Sequence, residues 1–422
     1  MKLPSLLRFT LLCAALAAGA VSGAHAQRGA AESGTPGSEL TVYLVTMGPG
    51  EAVWERFSHN ALWIHDPVTG TDRIYNYGMF SFRQENFLVR FVQGRMLYWT
   101  QAFETGSHLR AYVAVNRSIW TQELNLTPEQ RIELRDFLAW NVLPDNRFYR
   151  YDYYLDNCST RIRDAMDMVL GGRLREVLEA RETGTTFRFH TRRLLAPDLG
   201  AYTGTLFSLG HPIDRPVSEW ETAFLPVQLQ HSVRDVTVLD ADGNEAPLVL
   251  SEQTRYTSTM PPERDEPPNW LLQFFLAGAL LAALLYAVTV NAADRRWARV
   301  GGTALATAWS LLLGLGGVFM AAVWLFTDHW AAYWNENLFF LNPLALSLVV
   351  LLPLAALGKP WAQRWARWLA LVVAAIAVVG FVIQVLPQFY QVNGEIIAVT
   401  LPPTLLMAWA AAKRSTRSSG SS

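Results

Sequence analysis

The chain has 422 residues, of which 51% are hydrophobic and only 17% charged, with a formal net charge of -1. So apolar a composition excludes a disordered chain, and the lack of a basic excess argues against a nucleic-acid partner. Two cysteines exclude a disulfide scaffold and a four-thiolate zinc site. No Walker or Rossmann glycine pattern, no Gly-x-Ser-x-Gly and no metal-ligand spacing is present, so neither a cofactor nor a metal is expected.

Residues 1–26 read as a secretory signal. Lys2 and Arg8 give a positive start, Leu11 to Val21 an apolar run, and Ala24-His25-Ala26 a small-residue cleavage site. Cys13 lies in that run and is expected to leave with it. Residues 27–260 carry most of the charges and form the expected periplasmic domain. Residues 261–269 are a charged, proline-bounded linker.

Five apolar segments follow, at residues 270–290, 300–326, 338–357, 368–386 and 396–412, most of them near the ~20 residues that cross a bilayer. Arg295, Arg296 and Arg299 follow the first, Lys359, Arg364 and Arg367 the third, and Lys413, Arg414 and Arg417 the fifth. The other two loops lack Lys and Arg. The positive-inside rule then puts the basic loops and the tail, residues 413–422, in the cytoplasm and the N-terminal domain outside the plasma membrane.

Within residues 27–260, Leu40 to Met47 has strand composition and ends at Gly48-Pro49-Gly50. Asn60 to His65 and Asp72 to Tyr77 read as an antiparallel hairpin, and Phe103 to Val115 as one or two more strands. Thr127-Pro128-Glu129-Gln130 opens a helix running to about Asn141. A second helix is expected from Asn157 or just after it to Leu170, with Ile162, Ala165, Met166 and Val169 on one face and Gly171-Gly172 as its stop. Strands followed by helices make this an α+β domain, ahead of an all-α transmembrane domain of five helices.

Cys158 is the one cysteine outside the signal segment, in the polar run Asp156-Asn157-Cys158-Ser159-Thr160-Arg161 at the expected start of a helix. Unpaired N–H groups there favour a thiolate, which makes a nucleophile of a residue whose bland alternative is a buried, inert thiol. A thiol nucleophile wants a base and a group to orient it. His59 is mildly favoured by its place before the hairpin. His65 reads as a turn residue, and His108, His190, His211 and His231 as residues of exposed stretches. Asn76, on the second hairpin strand, is either the orienting group or a turn cap before Gly78. Arg188, Arg192 and Arg193 read either as an exposed basic face or as contacts for phosphates at the membrane surface. In the membrane part, His329, Asn335, Asn337, Asn393 and Glu395 are loop polarity or a surface for a lipid head group or substrate.

Three blocks carry a resemblance: Ser58-His59-Asn60-Ala61-Leu62-Trp63, Tyr75-Asn76-Tyr77-Gly78-Met79-Phe80, and Tyr151-Asp152-Tyr153-Tyr154-Leu155-Asp156-Asn157-Cys158-Ser159-Thr160-Arg161. With the C-terminal spans, including Asn335-Glu336-Asn337-Leu338 and Asn342-Pro343, the sequence resembles the bacterial lipoprotein N-acyltransferase Lnb family over nearly all of its length after the signal. The order of histidine first and cysteine on a later helix is similar to circularly permuted papain-like folds, such as the lecithin:retinol acyltransferase group and permuted NlpC-type enzymes. The resemblance implies Cys158 as nucleophile, His59 as base and Asn76 as orienting residue, supported by Asn157, Ser159, Thr160 and Arg161. It implies an inner-membrane enzyme that moves a fatty acyl chain from a phospholipid donor through a thioester to a lipoprotein acceptor. Competing expectations are a cysteine peptidase or amidase of the cell wall, a phospholipase, and an envelope binding or sensory module with no enzymatic activity.

Overall fold

A computed structural model describes residues 35–291 and 295–418. The expected signal, residues 1–26, and the end of the expected tail lie outside the described residues.

An antiparallel sheet forms the centre of the N-terminal domain. Its first strands are β1 (Thr41–Met47), β2 (His59–Asp66) and β3 (Thr71–Met79), the last two forming the expected hairpin. Helix α1 (Phe87–Gln93), strand β4 (Leu97–Glu104), helix α2 (Thr105–Ala114) and strand β5 (Ile119–Leu124) follow. Next come helix α3 (Pro128–Asn141), the short strand β6 (Phe148–Arg150) and helix α4 (Cys158–Val169). A last strand, Val249–Tyr256, returns to the sheet edge, giving the order Val249–Tyr256, β5, β1, β2, β3, β4, β6.

The sheet carries an apolar layer on each face because its side chains alternate. Leu44, Leu62, Tyr75 and Tyr77 pack with Ile162, Ala165, Met166 and Val169 of α4 and Leu134 and Leu138 of α3. Each such fully buried aliphatic side chain contributes about 1.5–3 kcal/mol. On the other face Val45, Met47, Ala61, Ile74 and Ile119 pack with Leu109 and Tyr112 of α2.

The expected helices stand, and both begin on local side-chain caps. Thr127 and Gln130 form a capping box at α3, and Asn157 and Thr160 do the same at α4. The expectation of strands through Phe103 to Val115 is corrected: only the first residues continue β4, and the rest is α2. The Glu104 carboxylate accepts from the N–H groups of Gly106 and Ser107, a cap strong enough to start a helix in a β-branched and aromatic stretch.

Beyond the linker, five helices are long and apolar enough to cross a membrane: Leu271–Thr289, Arg296–Phe326, Glu336–Ala356, Pro360–Val385 and Gly394–Lys413. The third is irregular in its first half, with short 3-10 turns up to Ala345 and an α-helix only from Leu346, because Pro343 removes a backbone donor there. The fifth runs through Pro402 and Pro403, and Thr400 and Thr404 hydroxyls take up carbonyls of the preceding turn.

The two parts meet in a polar joint. Asn335 donates to the carbonyls of Phe207 and Ser208, and Asn337 to those of Leu206 and Phe207, closing the end of the helix Leu199–Ser208. Glu336 accepts from His211 at 2.9 Å and Gln384 at 2.7 Å. Glu395 pairs with Arg192 and accepts from the Tyr202 hydroxyl at 3.1 Å. Asn393 is buried in the same region. Asn335, Asn337, Asn393 and Glu395, read as loop polarity or as a surface for a lipid head group or substrate, thus lie in or beside this joint. All four are buried, and three of them hold the N-terminal domain to the spans. His329 alone of that group stays half-buried at the edge, donating to the Phe91 carbonyl at 2.9 Å.

The basic cluster is likewise turned inward. Arg188 is fully buried, with Nε 2.8 and 2.9 Å from the two Asp214 carboxylate oxygens, and Arg193 pairs with Glu263 of the linker at 3.1 Å. Their acidic partners are distant in sequence, which is why the arginines read as a free basic face. His190 is buried between Thr185 and Arg193 rather than exposed.

Candidate active site

Cys158 is the first residue of α4, and the side chains around it fix that helix start. Asn157 accepts from the N–H groups of Ser159 and Thr160 at 2.9 and 3.0 Å, and its own amide donates to the carbonyls of Tyr153 and Phe224. Thr160 returns the bond, accepting from the Asn157 N–H at 2.7 Å. The Ser159 hydroxyl lies 2.6 Å from the Ala223 carbonyl and 2.8 Å from Oδ1 of Asn60. Asn60, fully buried on β2, thereby clamps the helix start to the strand that carries His59.

His59 opens β2, and its Nε2–H donates to Oδ1 of Asn76 in a short contact. The Asn76 amide is occupied at its other end by Met79 Sδ at 3.2 Å. That leaves Nδ1 of His59 as the basic nitrogen. A break in the β3–β4 ladder between Asn76 and Met79 opens the sheet at Gly78, which has φ +87°. A methyl group on Gly78 would stand 3.3 Å from Cβ of Cys158 and 3.8 Å from Cε1 of His59. The cysteine and the histidine thus flank one glycine, and both keep part of their surface open.

Burial pushes the Cys158 thiol up to about 11, against the N–H groups of Asn60 and Ser159 and the charge of Arg117, which act to lower it. Burial also takes His59 down to about 4, opposed by the Asn76 hydrogen bond and helped by Arg117. The expectation that the helix start depresses the thiol is corrected: desolvation outweighs the helix N-terminus, whose Ser159 and Thr160 N–H groups Asn157 already uses. Both shifts favour the neutral pair, thiol and imidazole, at neutral pH.

Two residues of the site were not singled out by the sequence. Tyr149 of β6 is buried against Gly78 and Cys158; the Gly78 N–H acts on its oxygen, and its hydroxyl donates no hydrogen bond among the described residues. Arg161 holds this ring, its guanidinium 4.4 Å from the ring centroid while it pairs with Asp156 at 2.7 Å. That contact is the role of Arg161, which reaches the site through Tyr149. Arg117 is buried with Nε on the Gly48 carbonyl at 2.7 Å and Nη2 unpartnered among the described residues. Its charge favours both a thiolate and a neutral imidazole. Nothing in the sequence marks either residue, since one sits on a three-residue strand and the other in a loop. No cluster of three metal-ligating side chains occurs among the described residues.

Residues 30–197 match the family model of the Lnb N-terminal periplasmic domain, and residues 267–415 that of the Lnb transmembrane domain. The chain belongs to the Lnb family. No curated protein and no solved structure gives a significant match. The first Lnb region holds every strand of the sheet but Val249–Tyr256 and the second spans the five apolar helices, so this is a membrane protein with a periplasmic N-terminal domain. The first Lnb region contains Cys158, His59, Asn76 and Tyr149, and it ends inside the joint. Between the two lie Ala223 and Phe224, whose carbonyls receive Ser159 and Asn157.

Proposed function

We propose that this Lnb-family protein is an acyltransferase that moves a fatty acyl chain from a membrane phospholipid, through a thioester on Cys158, to the free α-amino group of a lipoprotein N-terminus. The observation that carries the reading is the convergence of Cys158, His59 and Asn76 around Gly78 in a domain bolted to five apolar helices.

In the first step Sγ of Cys158 attacks the ester carbonyl carbon while Nδ1 of His59 takes the thiol proton. The carbonyl oxygen becomes an oxyanion, and the Tyr149 hydroxyl, beside Gly78 and Cys158 with its proton not donated to any described residue, is a donor for it. The carbon–oxygen bond then breaks, and the proton on His59 passes to the departing lysophospholipid oxygen. In the second step the amine attacks the thioester, His59 takes a proton from nitrogen, and that proton returns to sulfur as the carbon–sulfur bond breaks. Asn76 holds the imidazole in the tautomer that both steps need.

Incubating the purified full-length protein with phospholipid vesicles tests this by intact mass. A fatty-acyl adduct is expected on the protein and is expected to vanish in Cys158→Ser. No adduct, together with normally acylated lipoproteins in a strain lacking the protein, overturns the reading. The role given to Tyr149 has its own test. Tyr149→Phe is expected to slow adduct formation by about 10²–10³-fold, the usual cost of one oxyanion donor, at an unchanged melting temperature. An unchanged rate removes Tyr149 from the mechanism.

A further inference from the structure

Helix α1 exposes an apolar face that the sheet domain does not use. Leu88, Val89 and Val92 are each more than half exposed, as is Phe82 in the preceding loop. Trp54, 64% exposed, meets Phe82 edge-on at 6.5 Å. So contiguous a patch of large apolar side chains on an exposed surface marks an interaction site. The two loops that build it are the ones that lead into His59 and out of Gly78.

The position of α1 identifies what covers this face. The Asp328 N–H donates to the Gln93 carbonyl at 2.8 Å, His329 donates to the Phe91 carbonyl, and Arg95 and Arg150 each reach Asp328 at 2.7 Å. Gly94, with φ +71°, lets the turn after α1 press on the backbone of Asp328 and His329. The span Arg296–Phe326 ends two residues before Asp328, so the C-terminal end of α1 is fastened where that span leaves the bilayer. Phe326 itself, the last residue of the span, is 79% exposed, so the end of the span fastened near α1 is also openly apolar.

We propose that α1 and the Phe82 loop are seated in the acyl region of the leaflet on the side of the sheet domain. An interfacial helix needs an apolar face at this depth and a basic residue near the head groups, and Arg90 in the last turn of α1 supplies the latter. From this face a row of rings leads inward. Phe82 meets Phe80 at 5.2 Å, Phe80 stacks on Tyr98 at 5.1 Å, and Tyr98 stacks on Tyr151 at 4.1 Å, close to the strand that carries Tyr149. On the acyl-transfer reading, on which this last step rests, the row gives a lipid chain an apolar route to Cys158.

The test uses no catalysis, so it stands or falls apart from that reading. Cys13 and Cys158 are the two cysteines of the chain. In full-length Cys13→Ser/Cys158→Ser protein, a nitroxide is placed by Leu88→Cys or Val92→Cys, with Val68→Cys in the β2–β3 turn as the aqueous control. In vesicles of phosphatidylethanolamine and phosphatidylglycerol, labels at 88 and 92 are expected to be more accessible to oxygen than to a water-soluble nickel chelate, and the label at 68 the reverse. Labels at 88 and 92 that follow the control overturn the proposal, as do labels shielded from both reagents, which would mean a protein partner on this face.

Discussion

His59→Ala is expected to lower acylation of Cys158 by about 10²–10⁴-fold at neutral pH, the usual contribution of a positioned base. The pH dependence separates loss of a base from loss of structure. With the thiol near 11, the variant depends on the small fraction of free thiolate, so its rate is expected to rise about tenfold per pH unit until the pH approaches that value. On the proposed mechanism the wild-type protein uses neutral imidazole as base. Its rate is expected to hold as pH falls and to fail only as His59 gains a proton, near pH 4. Alkylation of Cys158 by iodoacetamide reads the resting thiol without any lipid. Alkylation that is already fast and flat at pH 5 would show a preformed thiolate–imidazolium pair and refute the neutral resting state.

The largest effect on stability is expected at the joint. Arg188→Met leaves the Asp214 carboxylate buried without its partner, and the carbonyls of Leu209 and Gly210 each lose a donor at 2.9 Å. Removing one member of a buried pair costs about 3–5 kcal/mol. In a domain of this size that lowers the melting temperature of the full-length protein in detergent by about 10 °C or more. Adding Asp214→Leu is expected to restore part of the loss, because the stranded charge is gone. If the double variant melts with the single one, the cost lies elsewhere than in the charge.

The start of α4 was legible in the sequence because its chemistry is local. Asn157, Cys158, Ser159 and Thr160 sit within one turn, and a polar cap before an apolar face announces a helix wherever the chain goes. The hairpin that carries His59 and Asn76 was legible for a similar reason: strand pairs joined by Pro67–Gly70 are close in sequence as well as in space. What tertiary contact alone decides was not legible. Tyr149 lies beside the thiol, Arg117 acts on it by charge from the loop before β5, and Arg188 finds Asp214 across a helix and a turn. The thiol was misjudged because a helix start is visible in sequence and the desolvation opposing it is not. The strand Val249–Tyr256 was missed because it lies at the sheet edge with mostly exposed side chains, so no alternation marks it.

That edge strand sets an order of events for the growing chain. It pairs with β5 from Val249 opposite Leu124 to Tyr256 opposite Ile119, so the sheet is incomplete until Tyr256 has been made and exported. The first span begins at Leu271, and the residues between can stretch at most about 50 Å. The last strand and the first membrane anchor therefore arrive almost together, and the domain finishes folding while it is being tethered. A secreted fragment that stops where the first Lnb region stops, at residue 197, has neither this strand nor the Ala223 and Phe224 carbonyls that receive the helix start of Cys158. Closing the sheet and tethering the domain are thus expected to fall together during synthesis.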